Sequence, residues 1–145
     1  MTREKSTTKP KFVILEGVDR TGKDSMQDAI DKATRYKHII TDRGPLGFQA
    51  YCIIFNKPQE LYLAYQKMEL DLLELPNVLV IYLTADTETL VDRCVKTDHE
   101  ILDFDFHKEV YEMFVDTTNL ETITVDTSKK HVTEIVQDLI KEGVL

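Results

Sequence analysis

Gly17, Gly22 and Lys23 fall in the pattern "GVDRTGK", a glycine followed five residues later by Gly-Lys. That spacing lets consecutive backbone N–H groups curl around an anion, with the following helix adding its partial positive charge. Glycine permits the backbone angles such a loop needs, and the lysine would reach a transferred phosphate. The position after Lys23, where such loops carry Ser or Thr, is Asp24, and Ser25 comes one step late. An acid in a first helical turn gains from the helix dipole, yet it repels bound phosphates unless a metal lies between. Asp24 is therefore a candidate Mg²⁺ ligand, with Ser25 as the alternative. Asp19, Arg20 and Thr21 lie inside the loop, and Asp42–Arg43 and Asp126–Ser128 form further polar pairs.

Apolar patterning supplies elements to hold these groups. "KFVILE" reads as a buried strand over 12–16, and Met26, Ala29, Ile30 and Ala33 give a helix over 23–35. "HIITD" (38–42) is a second strand, followed by a short helix over 46–55. Asn56 is a candidate cap, and Pro58 opens a helix to 75 whose apolar face carries Leu61, Tyr65, Met68, Leu72 and Leu75. "NVLVIYLT" (77–84) is apolar almost throughout, as in a sheet covered on both faces. Asp86 can cap a helix bearing Leu90, Val91, Cys94 and Val95; another helix covers 105–117, and "ETITVD" (121–126) is a fourth strand. Val132, Ile135, Val136, Leu139 and Ile140 mark the last helix, which Gly143 ends.

Strands alternating with helices define an α/β fold with a mainly parallel sheet. Ligands in such sheets sit beyond the carboxyl ends of the strands. The loop 17–23, Asp42–Arg43, the 84–86 turn and 126–128 all fall at that edge. With 145 residues, the chain forms one domain over 12–145 behind a polar, disordered lead-in over 1–11. No apolar run reaches the ~20 residues of a membrane span. Cys52 and Cys94 read as buried thiols, which places the protein in the cytoplasm. A net charge of -8 argues against a nucleic-acid surface but not against one nucleotide held by a few cations and a metal.

Taken in order, these stretches resemble the thymidylate kinases. "FVILEGVDRTGKD" is similar to that family's phosphate loop in the type that carries a loop arginine, and "DRGPLGFQAY" (42–51) to its second motif. "LTADTETLVDR" (83–93) resembles the approach to its mobile lid, and "ITVDTS" (123–128) the strand and loop flanking the adenine. Deoxynucleoside kinases share the plan. The resemblance implies a three-layer P-loop fold with helices on both faces of four strands, in the order 38–42, 12–16, 78–84 and 121–126. It implies Mg·ATP as donor and a deoxynucleoside monophosphate as acceptor. Asp19 would lie by the acceptor sugar and reacting groups, Arg20 would act on the transferring phosphoryl, and Asp42 would hold Mg²⁺ through water. Arg43 would grip the acceptor phosphate, Tyr51 would lie against the sugar, and Arg93 and Asp126 would lie by the adenine. "CVKTDHEILDFD" after Arg93 has no arginine, as in family members whose loop arginine replaces one in the lid.

The pattern breaks in one place. Only 18 residues, 24 to 41, separate the loop from Asp42–Arg43, too few for the family's edge strand and acceptor-binding helices. Phe48 stands where the family often reads the base with a polar residue; Phe48, Tyr62 or Tyr65 could cover the base, or all three could be core. A second subunit packed through the helices 46–55 and 58–75 could complete the pocket. Two other readings stand beside a monophosphate kinase: a deoxynucleoside or 5′-hydroxyl kinase with an open acceptor site, and a nucleotide-binding module that acts through a partner without catalysis.

Overall fold

The computed structural model describes residues 8–145. Four strands, β1 (Phe12–Glu16), β2 (Ile39–Asp42), β3 (Val78–Thr84) and β4 (Thr122–Asp126), form one parallel sheet in the order β2-β1-β3-β4. Six helices connect and cover them: α1 (Lys23–Thr34), α2 (Pro45–Ile54), α3 (Gln59–Leu72), α4 (Thr87–Lys96), α5 (Phe104–Thr117) and α6 (Val132–Lys141). The strand order is the one expected, and element ends differ from the sequence reading by at most three residues.

Three layers follow from the two-residue period of a strand. Val13, Leu15, Leu79, Ile81 and Leu83 point to one face and pack with Met26 and Ile30 of α1 and Ile135, Val136 and Leu139 of α6. Ile14, Val78 and Val80 point to the other, against Leu46 and Ala50 of α2 and Val110 and Phe114 of α5. Both faces of β3 are therefore covered, which is why "VLVIYL" carries no charged residue. A smaller cluster of Val18, Ala85, Leu90, Cys94 and Phe104 seats α4 at the carboxyl edge of the sheet.

Several local expectations are corrected. Asn56 does not cap α3: it takes a left-handed φ of 48°, and Pro58 occupies the cap position. Asp86 sits at the N-cap of α4, but its side chain accepts no capping bond. The face expected to bury α3 is also incomplete. No residue of α3 is fully buried, Met68 is exposed, and Leu75, beyond the helix end, is 54% exposed. Of that face Leu72 does pack against the core, and Tyr62, outside it, joins it there. The left-handed Gly143 follows α6 as expected. Of the lead-in expected over 1–11, residues 1–7 lie outside the described residues. Lys11 is tied down: its amide donates to Nδ1 of the buried His38, and its Nζ to the Val144 carbonyl. Both cysteines are free and buried. Among the described residues no helix is long and apolar enough to cross a membrane.

Candidate active site

The buried strand β1 delivers the chain to Gly17, whose φ is 149°. A Cβ there would stand 2.5 Å from the Leu83 carbonyl oxygen and 2.8 Å from Thr21 Oγ1, so only glycine lets the loop turn back against β3. Arg20 (φ 69°) and Gly22 (φ 95°) take left-handed angles, and Thr21 Oγ1 donates to the Val18 carbonyl at 2.8 Å. The chain enters α1 at Lys23 with no side chain capping the helix, so its first N–H groups keep their donor capacity for an anion.

Lys23 is buried, and its Nζ donates to the carbonyls of Gly17 (2.8 Å) and Val18 (3.0 Å). Burial lowers its pKa below the ordinary lysine value, as does the charge of Arg43, while Asp42, Asp19 and Glu16 oppose the shift. A desolvated ammonium held only by neutral carbonyls has charge left to satisfy.

Around this loop opens a cavity of about 620 Å³. Asp19, Arg20, Thr21, Gly22, Lys23, Asp24 and Ser25 line one side, and Asp42, Arg43 and Arg93 close it. All but two of the residues expected at a donor site or metal are thus brought together. Gly17 lies behind the loop, where it makes the close approach to β3. Asp126 is the other exception: it does not line the cavity, and its carboxylate accepts the Ser128 amide at 2.8 Å. That bond lowers its pKa against an opposing desolvation. Thr97, Thr127, Lys130, His131 and Val132 line the cavity instead. Thr127 belongs to the 126–128 loop expected at this edge, whereas no sequence pattern placed Thr97, Lys130, His131 or Val132 here, because they lie at the ends of α4 and α6.

Asp24 and Ser25 are exposed at the start of α1, and Asp42 is exposed at the end of β2. Among the described residues no group of three or more His, Cys, Asp or Glu gathers as a metal cage. This donor set fits Mg²⁺, which takes one or two carboxylates and completes its shell with phosphates and water.

A second cavity of about 420 Å³ lies on the other side of Asp19 and Arg43, which line both. Phe48, Tyr51, Tyr65 and Tyr111 form its walls together with Gly47, Phe55 and His107. The rings of Phe48 and Tyr65 meet at a tilt of 30°, with centroids 4.9 Å apart. Tyr62 lines neither cavity and packs toward Phe114. Where the cavities meet, Arg43 Nη2 lies 3.3 Å from Asp19 Oδ1. Both side chains are half exposed, so this pair adds little to stability.

Glu16 was not marked by the sequence. It is wholly buried, and its two carboxylate oxygens accept the amides of Gly44 and Gly47 at 2.8 Å each. It thereby caps α2 from β1. Burial pushes its pKa up to about 7 against the pull of those amides, the Leu46 amide and Lys23. The approach is tight: a Cβ on Gly47 would sit 2.7 Å from Glu16 Oε1, and one on Gly44 2.4 Å from Ile14 Cγ2. Glu16 thus sets the start of α2 against the end of β1.

No family model matches the chain, and no curated protein does so significantly. Solved structures do. The YorR protein of Bacillus subtilis, solved with phosphorylated GDP, superposes with a TM-score of 0.70 at 21% identity, over 91% of this chain and 95% of that one. Deoxyadenosine kinase of M. mycoides, solved with dCTP, gives 0.62 at 15% identity, over 90% and 99%. What the chain shares with them is the P-loop kinase-like α/β fold; neither likeness singles out the thymidylate kinases.

Proposed function

We propose that the protein is a small Mg·ATP-dependent deoxynucleoside monophosphate kinase that transfers the γ-phosphoryl of ATP to a dNMP. The observation that carries this reading is the pair of cavities meeting at Asp19 and Arg43, one walled by the phosphate loop and one by aromatic rings. Nucleotides bound to the two solved structures support a nucleotide ligand here.

In this reading the triphosphate lies along the amides of residues 17–23 and the start of α1. Lys23 leaves the loop carbonyls for phosphate oxygens, and Arg20 meets the charge that spreads over the moving group. A cation placed there acts mainly on the transition state. The bond from the γ-phosphorus to its bridging oxygen breaks, a bond to an acceptor phosphate oxygen forms, and ADP departs. Arg43 swings from Asp19 to the acceptor phosphate, where a guanidinium fork binds two oxygens. Asp19 is freed toward the sugar, and Phe48, Tyr51 and Tyr65 flank sugar and base. Asp24 or Ser25, with Asp42, would hold Mg²⁺, which neutralises phosphate charge and orients the donor. Arg93 and Thr127 would mark the nucleoside end of the donor cavity.

One observation favours a second reading. Among the described residues Arg43 is the only Lys or Arg lining the second cavity, and it is already paired with Asp19, an arrangement that suits a neutral acceptor such as a deoxynucleoside 5′-hydroxyl. Incubation with Mg·ATP and each dNMP, each deoxynucleoside or a 5′-hydroxyl oligonucleotide, followed by chromatography, separates the readings. Diphosphate formation from a dNMP is expected; transfer to nucleosides alone establishes the second. Mg·ATP binding with no transfer to any acceptor leaves a binding module that works through a partner.

Partner and location follow the same proposal. Leu63 and Leu70 of α3, each about half exposed, support a homodimer through α2 and α3. The net charge of -8 and the free thiols suit a cytoplasmic enzyme of mononucleotides rather than of polynucleotides.

A further inference from the structure

The guanidinium of Arg93 spends its edge on backbone. Nη1 donates to the Arg20 carbonyl at 2.6 Å and to Thr127 Oγ1 at 3.1 Å, and Nη2 donates to the Thr127 carbonyl at 2.8 Å. Thr127 Oγ1 in turn donates to the Thr21 carbonyl at 2.8 Å, and its amide to the Thr84 carbonyl at 2.8 Å. One arginine on α4 thus clips the phosphate loop to the loop after β4. Thr127 is buried, and Arg93 is part-buried in these bonds, where charge-assisted bonds to carbonyls are stronger than in water.

The bond falls on a strained residue. Arg20 has a φ of 69°, a left-handed angle that costs a side-chain-bearing residue roughly 1–2 kcal/mol. The carbonyl that Arg93 holds is that residue's own. With the peptide fixed, the Arg20 side chain leaves the loop in one direction, along the wall of the donor cavity. The resemblance to thymidylate kinases implied an adenine contact for Arg93; the geometry gives its N–H groups a different use.

We propose that Arg93 is a positioning residue: by holding the Arg20 carbonyl it fixes the turn from which Arg20 is aimed at the transferring phosphoryl, and through Thr127 it ties that turn to the nucleoside end of the cavity. The proposal rests on the kinase reading above. Arginine suits the task because its fork reaches two carbonyls at once and stays charged when desolvated.

A kinetic cycle over Arg20→Ala, Arg93→Ala and the double variant, at saturating acceptor, tests it. Groups that act as a unit are non-additive, so Arg93→Ala should lower kcat about tenfold or more alone, but less than about twofold in the Arg20→Ala background. KM for ATP should shift by less than about threefold. A double variant whose loss equals the product of the single losses overturns the proposal, as does full activity in Arg93→Ala. Thr127→Val, which keeps the Thr127 carbonyl and removes only the hydroxyl, should show a smaller loss of the same non-additive kind, and it covers the case in which Arg93→Ala does not fold. A readout independent of turnover is the amide resonances of residues 20–22 in the nucleotide-free protein. They should be single in the wild type and broadened or doubled in Arg93→Ala and Thr127→Val, with α6 unchanged. Unchanged resonances in both variants overturn the proposal even in a protein that transfers nothing. Binding of Mg·ATP without transfer by the wild type removes the kinase reading alone.

Discussion

The two cavities are built by different means. The donor side is made of backbone held by long-range polar bonds. Gly17 lies against Leu83, Thr21 is locked to Val18 and Thr127, and Arg93 bridges two loops. The acceptor side is made of rings on α2, α3 and α5, and α3 contributes no fully buried residue. Backbone fixed by several partners presents one geometry to every ligand, whereas aromatic side chains on a lightly anchored helix can re-pack around different ones. For the proposed kinase, the difference teaches where each kind of discrimination would reside: phosphate geometry in the loop, acceptor choice in the helices.

The sharpest break of this comparison is Lys23→Ala. Steady-state assays with Mg·ATP should show kcat falling about a hundred- to a thousandfold, the range for removal of one preorganised donor to the moving charge. A loss under threefold would mean that the loop does not hold the transferred group.

Next comes the carboxylate that joins the two regions. Glu16 titrates near 7 in the fold and near 4.5 when unfolded. The folded state therefore binds its proton more tightly, and this group's contribution is greatest at acid pH and is lost as pH rises from about 4.5 to 7. By linkage the swing is about 3 kcal/mol. Denaturant unfolding of the wild type and Glu16→Gln across that window should show a difference that changes with pH in this sense. Parallel pH profiles would place the proton elsewhere.

Gly47→Ala bears first on the proposed acceptor side. Its Cβ would meet Glu16 Oε1 at 2.7 Å and Tyr111 at 3.2 Å, so α2 must shift, at about 1–3 kcal/mol of stability. Initial-rate assays should show the acceptor KM rising about tenfold while that for ATP stays within about twofold. Equal shifts in both would deny the division of labour.

The smallest effect is expected at Leu70. It is 57% exposed, and Leu70→Ser should change monomer stability by less than about 0.5 kcal/mol. Sedimentation of wild type and variant checks the proposed dimer: a dimer that survives this change does not use that face of α3.

Much of the fold was legible because its signals are local. "FVILE" and "NVLVIYLT" announce buried strands by composition, and the glycine spacing announces the loop. What escaped depends on distance. Glu16 looks like the polar end of a strand until Gly44 and Gly47, 28 and 31 residues on, bring their amides to it. Lys130 and His131 carry no pattern and reach the first cavity only because β4 lies beside β3. Asp126 was expected there by resemblance; one residue of register sends its carboxylate to Ser128 and puts Thr127 in its place. The face of α3 read as core by helical period is only half covered, since periodicity reports a stripe and not what lies against it.

The cap that Glu16 places on α2 has a consequence for how a wrong acceptor would be rejected. The ring-bearing helix and the strand feeding the anion cradle are joined through one carboxylate, so in the proposed kinase a guest too bulky for the ring-lined side would tilt the cradle as well. Such a guest would still dock, with the phosphoryl out of line with its target. Selectivity built this way registers in turnover rather than in occupancy.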